Sequence, residues 1–183
     1  MLNFRSNLLV IMAICLLPGS LLAQVDSGPS AGSKVERIKL FAATGDSAGK
    51  ELDFAAERKE KPTIFVFVQA EKWDRPMVRF LRDMDQTLVK DRNEVQIIAV
   101  WLTDDVEKSK EFVPKAQNSL KLGQTTFTVY PGDKSGPTGW AINADAHVTA
   151  VVVQDQKVTA SFGFRSVNET DAPPVLKKLK PAK

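Results

Sequence analysis

The sequence predicts an α/β fold, a central mixed sheet flanked by helices with a short β extension before the core, on three observations. Residues 64–68, Ile-Phe-Val-Phe-Val, form an unbroken apolar run of β-branched and aromatic residues, the pattern of a strand buried on both faces. Met77, Phe80, Leu81, Met84 and Leu88 then recur at helical spacing, while Arg75, Arg79 and Arg82 fall on another face. Near the end, the apolar-rich runs 148–153 and 157–162 flank a turn at Asp155-Gln156 and read as a hairpin.

Before this core, residues 1–23 read as a secretory signal. Arg5 gives the basic start, residues 8–17 the apolar segment, and Pro18-Gly19-Ser20 the break before Ala23. The apolar segment is short for a membrane span, and Leu21 sits where a cleavage site usually has a small residue, which leaves an uncleaved anchor open. The expectation is an exported protein, periplasmic or secreted. Cys15 is the only cysteine and leaves with the signal, so a mature chain starting near Gln24 has no thiol and no disulfide. Residues 24–34, rich in Ser, Gly and Pro, read as a flexible linker, and residues 35–183 as one domain.

Within that domain, residues 35–41 alternate as a strand, residues 44–49 carry turn residues, and residues 51–54 form a short strand leading into a helical turn to Arg58. After the central strand and helix, residues 95–102 are a second buried strand. Thr103-Asp104 can cap the next helix, whose buried side is marked by Val106, Val113, Ala116 and Leu120 and which Pro114 should kink or divide. Residues 125–130 are a third strand. Residues 136–142 can make one short helix, and Asp171 opens a last helix that tolerates Pro173 in its first turn and turns Val175, Leu176 and Leu179 inward.

The 183 residues, 43% hydrophobic and 26% charged, give room for a core of ordinary size. A net charge of +3 with dispersed basic residues argues against a nucleic-acid partner. No Gly-rich phosphate loop, Ser/His/Asp order or metal-spaced Cys/His set is present, and no cofactor is implied.

The junction between the central strand and its helix reads Trp73-Asp74-Arg75-Pro76-Met77. It resembles the Trp-Cys-Gly-Pro-Cys junction of thioredoxin-like proteins, with Asp74 and Met77 in the two cysteine positions. The likeness runs from about Val35 to Lys180, and the early β extension and the residues 130–142 insert resemble the redoxin branch. It implies a thioredoxin-like fold in which thiol-disulfide exchange and peroxiredoxin chemistry are not expected, because a carboxylate and a thioether cannot replace a low-pKa thiolate and its resolving thiol. The resemblance also sets Val148 in the position of the family's cis-proline, and a cis bond before a non-proline costs about 2.5–4 kcal/mol, so a trans bond is expected.

The candidate site is the former active-site cleft, with Trp73, Asp74, Arg75 and His147 as its binding residues and an exported protein, a peptide or a small ligand as the partner. A membrane enters only if residues 1–23 are retained. Asp74 suits the start of a helix as a capping carboxylate. The alternative makes Asp74, Asp145 and His147 a hard metal or acid-base site, as in the copper-chaperone relatives whose histidine His147 resembles, here without the soft thiolates. Arg75, Arg79 and Arg82 could receive an anion or pair with Glu71, Asp83 and Asp85. Trp140 reads as core, and Asn168-Glu169-Thr170 as a glycosylation sequon or a helix cap.

Overall fold

The computed structural model describes residues 24–92 and 94–180, so the expected signal at residues 1–23 lies outside the described residues. Eight strands form one sheet: β1 (Gln24–Val25), β2 (Lys39–Ala42), β3 (Glu51–Asp53), β4 (Thr63–Gln69), β5 (Gln96–Leu102), β6 (Thr125–Val129), β7 (Val148–Gln154) and β8 (Lys157–Phe164). Their order across the sheet is β1-β8-β7-β4-β5-β6-β2-β3, with β4, β5 and β6 parallel and the other pairings antiparallel. The helices are α1 (Phe54–Arg58), α2 (Arg75–Asp91), α3 (Val106–Leu120) and α4 (Ala172–Leu176). No described helix is long and apolar enough to cross a membrane.

The alternating faces of β4 build two cores. Ile64, Val66 and Val68 pack with Met77, Phe80, Leu81, Met84 and Leu88 of α2, with Val113 of α3 and with Val175 of α4. Phe65 and Phe67 point the other way, into a layer made by residues 35–58 and the long 130–147 connection. All seven β4 residues are buried, as an uninterrupted apolar run requires. Burying each large side chain contributes about 1.5–3 kcal/mol.

Several expectations are corrected. Residues 136–142 make no helix: Gly136, Gly139 and Ala141 have φ of 92°, 87° and 46°, so left-handed turns break the run. The loop instead drives Trp140, fully buried, between Phe65 and Phe67 at centroid distances of 4.9 and 5.1 Å. Pro114 does not divide α3, which stays one 15-residue helix, and its N-cap is Asp105 rather than Thr103-Asp104.

The expected linker also differs: it joins the sheet at Gln24–Val25 and at a Lys34–Lys157 bridge. Gln24 and Val25 pair with Phe164 and Gly163. Farther along, Gly32 N–H donates to Val158 O and Val35 N–H to Gln156 O, at 2.8 and 3.0 Å, so residues 24–35 run along the free edge of β8. Buried Ser27 fastens this strap inward, its hydroxyl bonded to that of Thr149 at 2.6 Å.

Asp85, expected among the partners of the arginine stripe, turns into the protein and is 2% exposed. Its carboxylate accepts from Gly123 N–H, Gln124 N–H and the Thr125 hydroxyl at 2.9, 2.8 and 2.7 Å, which locks α2 to the loop entering β6. The sequon segment is cap chemistry: Asn168 and Asp171 form a capping box ahead of α4.

Candidate functional site

The parallel strands β4 and β5 end at the same edge of the sheet, with Gln69 opposite Leu102. From Gln69 the chain makes one 3₁₀ turn (Ala70–Lys72), passes Trp73 and enters α2. Asp74 is the N-cap residue, with extended backbone, and its Oδ1 accepts the Met77 N–H at 2.9 Å. Pro76 sits in the first turn, where its missing N–H costs nothing. Met77 is 2% exposed and belongs to the core.

The loop before β7 does reach this junction. Gln69 N–H donates to His147 O at 3.0 Å, and His147 N–H donates to Phe164 O at 2.8 Å. The His147–Val148 bond is trans, as every described peptide bond is. His147 thus lies half-buried beside the end of β4. Asp145 turns elsewhere, its Oδ2 accepting from Arg165 Nη2 at 2.9 Å. Among the described residues no three His, Cys, Asp or Glu side chains gather at metal-holding spacing, so Asp74, Asp145 and His147 do not assemble into a ligand set. One carboxylate is engaged by a helix amide and the other by a guanidinium.

The arginine stripe is exposed, and its middle member, Arg79, is taken by Glu169 at 3.0 Å. Glu71 meets Lys72 at 3.6 Å.

Trp73 packs toward β5 and β6. It meets Trp101 edge-on at 4.8 Å and Phe127 at 6.5 Å. Phe112 of α3 also packs on Trp101, at 6.1 Å, and is 44% exposed. Between these aromatic walls a cavity of about 410 Å³ opens at the C-terminal ends of β4 and β5. Its rim carries Glu71, Asp104, Asp105, Lys108 and Lys134. Lys134, on the long connection, pairs with Asp104, on the loop before α3, and both line the cavity. The hydrogen bond and charge of Asp104, with a smaller contribution from Glu71, hold the Lys134 ammonium above the ordinary lysine pKa.

Of the four binding residues expected from sequence, Trp73 lines this cavity and Asp74, Arg75 and His147 do not. The cavity's other walls went unread. Phe112 carried a signal, since it lies off the Val106, Val113, Ala116, Leu120 stripe of α3, where an aromatic has no core to fill. Trp101 was hidden within an apolar strand, and nothing local joins Asp104 to Lys134.

These elements define a thioredoxin-like fold: a βαβ unit on a central strand, a closing antiparallel pair and a last helix packed against the helix of the junction. No family model and no curated protein matches the chain. Solved structures do, and they make the fold redoxin-type. A DsbF homologue from Corynebacterium diphtheriae is 18% identical with a TM-score of 0.58, the match covering 89% of this chain and 96% of that one. A thiol-disulfide oxidoreductase from Bacteroides fragilis is 15% identical, TM-score 0.58, covering 81% and 100%. A peroxiredoxin-like protein from Aquifex aeolicus is 9% identical, TM-score 0.56, covering 85% and 91%.

Proposed function

We propose that this chain is an exported thioredoxin-like domain that has given up thiol redox chemistry and binds a ligand at the mouth of the sheet, beside the former active site. The observation that carries the reading is the state of Asp74. In the position that the resemblance gives to the attacking thiol stands a carboxylate whose oxygen is engaged as a helix cap. Met77, in the position of the resolving thiol, is packed into the core, and the single cysteine, Cys15, lies in the expected signal. A low-pKa thiolate at a helix N-terminus is what disulfide exchange needs, and residues 24–180 contain no cysteine.

The binding half of the reading rests on the adjacent cavity. Its volume is in the range of small-molecule sites, and Trp73, Trp101, Leu102 and Phe112 give it apolar wall beneath a charged rim. Export rests on the pattern of residues 1–23. Cleavage before Gln24 would leave the described sheet whole, because β1 begins there.

The test is made on the chain starting at Gln24. Insulin reduction with dithiothreitol as electron donor, and peroxide consumption with a thiol donor, should both run at the rate without protein. Turnover above that rate that persists after metal chelation refutes the loss of redox chemistry. N-terminal sequencing of the chain from the envelope fraction of producing cells should begin near Gln24, and an intact Met1 recovered there refutes cleavage.

A further inference from the structure

The lining of the cavity holds one nearly buried polar group that the protein leaves without a partner. Gln69, at the end of β4, lines the cavity and is 9% exposed, and its carboxamide makes no hydrogen bond to any described residue. Among the described residues, the side-chain polar atoms that are both sealed and partnerless are Gln117 Oε1 and Trp140 Nε1. The Gln69 carboxamide is therefore not sealed, and the opening it borders is this cavity. The other polar groups of the lining are engaged within the protein or exposed. Asp105 N–H and the Ser109 hydroxyl both donate to Thr103 Oγ1, at 3.0 and 3.2 Å. Asp105 accepts the Lys108 N–H at 3.1 Å, Lys134 pairs with Asp104, and Glu71 pairs with Lys72. The exposed rim carries three carboxylates and two ammoniums, close to balance. A charge of either sign gains little on such a rim, which suits a neutral ligand.

A carboxamide carries donor hydrogens and an acceptor oxygen side by side, and leaving both unpaired at a nearly buried position is unfavourable. The group that fills both at once is another amide, whose oxygen accepts from Nε2 while its N–H donates to Oε1. A ketone or a carboxylate offers acceptors alone, and an ammonium donors alone. Trp73, Trp101, Leu102 and Phe112 give the lining its apolar surface, and flat rings gain contacts with aromatic side chains beyond simple burial. We propose that the cavity binds a neutral aromatic carboxamide, its amide on Gln69 and its ring against Trp73, Trp101 and Phe112. This deepens the binding reading above and rests on it.

Three probes of one shape separate the contributions: 2-naphthamide, 2-acetonaphthone and 2-naphthoate, titrated into the chain starting at Gln24. The readout is NMR of the indole N–H resonances, assigned with Trp→Phe variants, and of the Gln69 side-chain NH₂ pair, assigned with Gln69→Met. The chain has three tryptophans, and Trp140, packed against Phe65 and Phe67 and absent from the lining, is an internal control. Expected is saturable movement of the Trp73, Trp101 and Gln69 signals with Trp140 still. Naphthamide should bind at least about threefold more tightly than the ketone or naphthoate. Gln69→Met should make amide and ketone equal, and Phe112→Ser should weaken all three probes. The ranking on the wild-type chain decides by itself where the Met variant does not fold. Equal affinity for amide and ketone, a preference for naphthoate, or a preference for the amide that survives in folded Gln69→Met overturns the ligand class and leaves the cavity as a binding site. Failure of all three probes to move Trp73 and Trp101 overturns both.

Discussion

The reading of Asp74 as a cap can be tested by replacing it with alanine and with asparagine. The side chain is exposed and its one recorded contact is the 2.9 Å bond from the Met77 N–H. Losing an N-cap side chain costs about 1 kcal/mol, with a range of about 0.5–2. Losing the negative charge at the positive end of α2 adds about 0.3–1 kcal/mol at low salt and less when salt screens it. Asp74→Ala loses both and should destabilise by about 1–2 kcal/mol. Asp74→Asn keeps an oxygen to accept the amide, loses the charge, and should cost only the smaller, salt-sensitive part. Urea unfolding at low and high salt separates the two contributions. Neither variant should change probe affinity at the cavity, whose lining does not include Asp74. The cap reading fails if alanine is no less stable than wild type, or if asparagine is as damaging as alanine at high salt. A loss of probe binding with stability intact would return Asp74 to the site.

Asp85→Ala should be the more costly change, because it strips the acceptor from two backbone amides and a hydroxyl. With about 1–3 kcal/mol per orphaned buried donor and partial relief from water, a loss of about 2–4 kcal/mol is expected in urea unfolding. Deleting residues 24–33 bares the β8 edge and should produce concentration-dependent self-association in sedimentation experiments; a strictly monomeric deletion variant would show that the strap protects nothing. The Lys134 ammonium should titrate above ordinary lysine when followed by NMR, and Asp104→Asn should bring it down. The sign follows from the raised value: the Asp104–Lys134 link is fully present below the usual lysine pKa and is lost as pH rises through the raised one.

How much of this molecule can be read from its sequence depends on whether the physical signal is local. The β4 run and the α2 stripe were legible because each repeats with the period of its own structure, and the junction between them carries a capping residue and a first-turn proline in the proper places. Residues 24–34 look like a linker by composition but pack along the sheet edge, for an instructive reason. Glycine there serves close approach rather than freedom: Gly28 has φ of 96°, and a Cβ on it would stand 2.6 Å from Ser161 Cβ. Edge pairing uses backbone groups, which composition does not reveal. The residues 136–142 segment failed by the same kind of competition, with turn glycines outweighing a plausible helical run.

The site divides along the same line. The argument for a loss of thiol chemistry is local, written in Asp74 and Met77 within one short segment. The proposed binding site is spread over the ends of β4 and β5, the first turns of α3 and a loop 30 residues farther on, where Lys134 meets Asp104. Each contributes one or two side chains whose own neighbourhoods look ordinary. What distinguishes the mouth of the cavity is the meeting of Trp73, Trp101 and Phe112 there, which exists only once the sheet has brought those ends together.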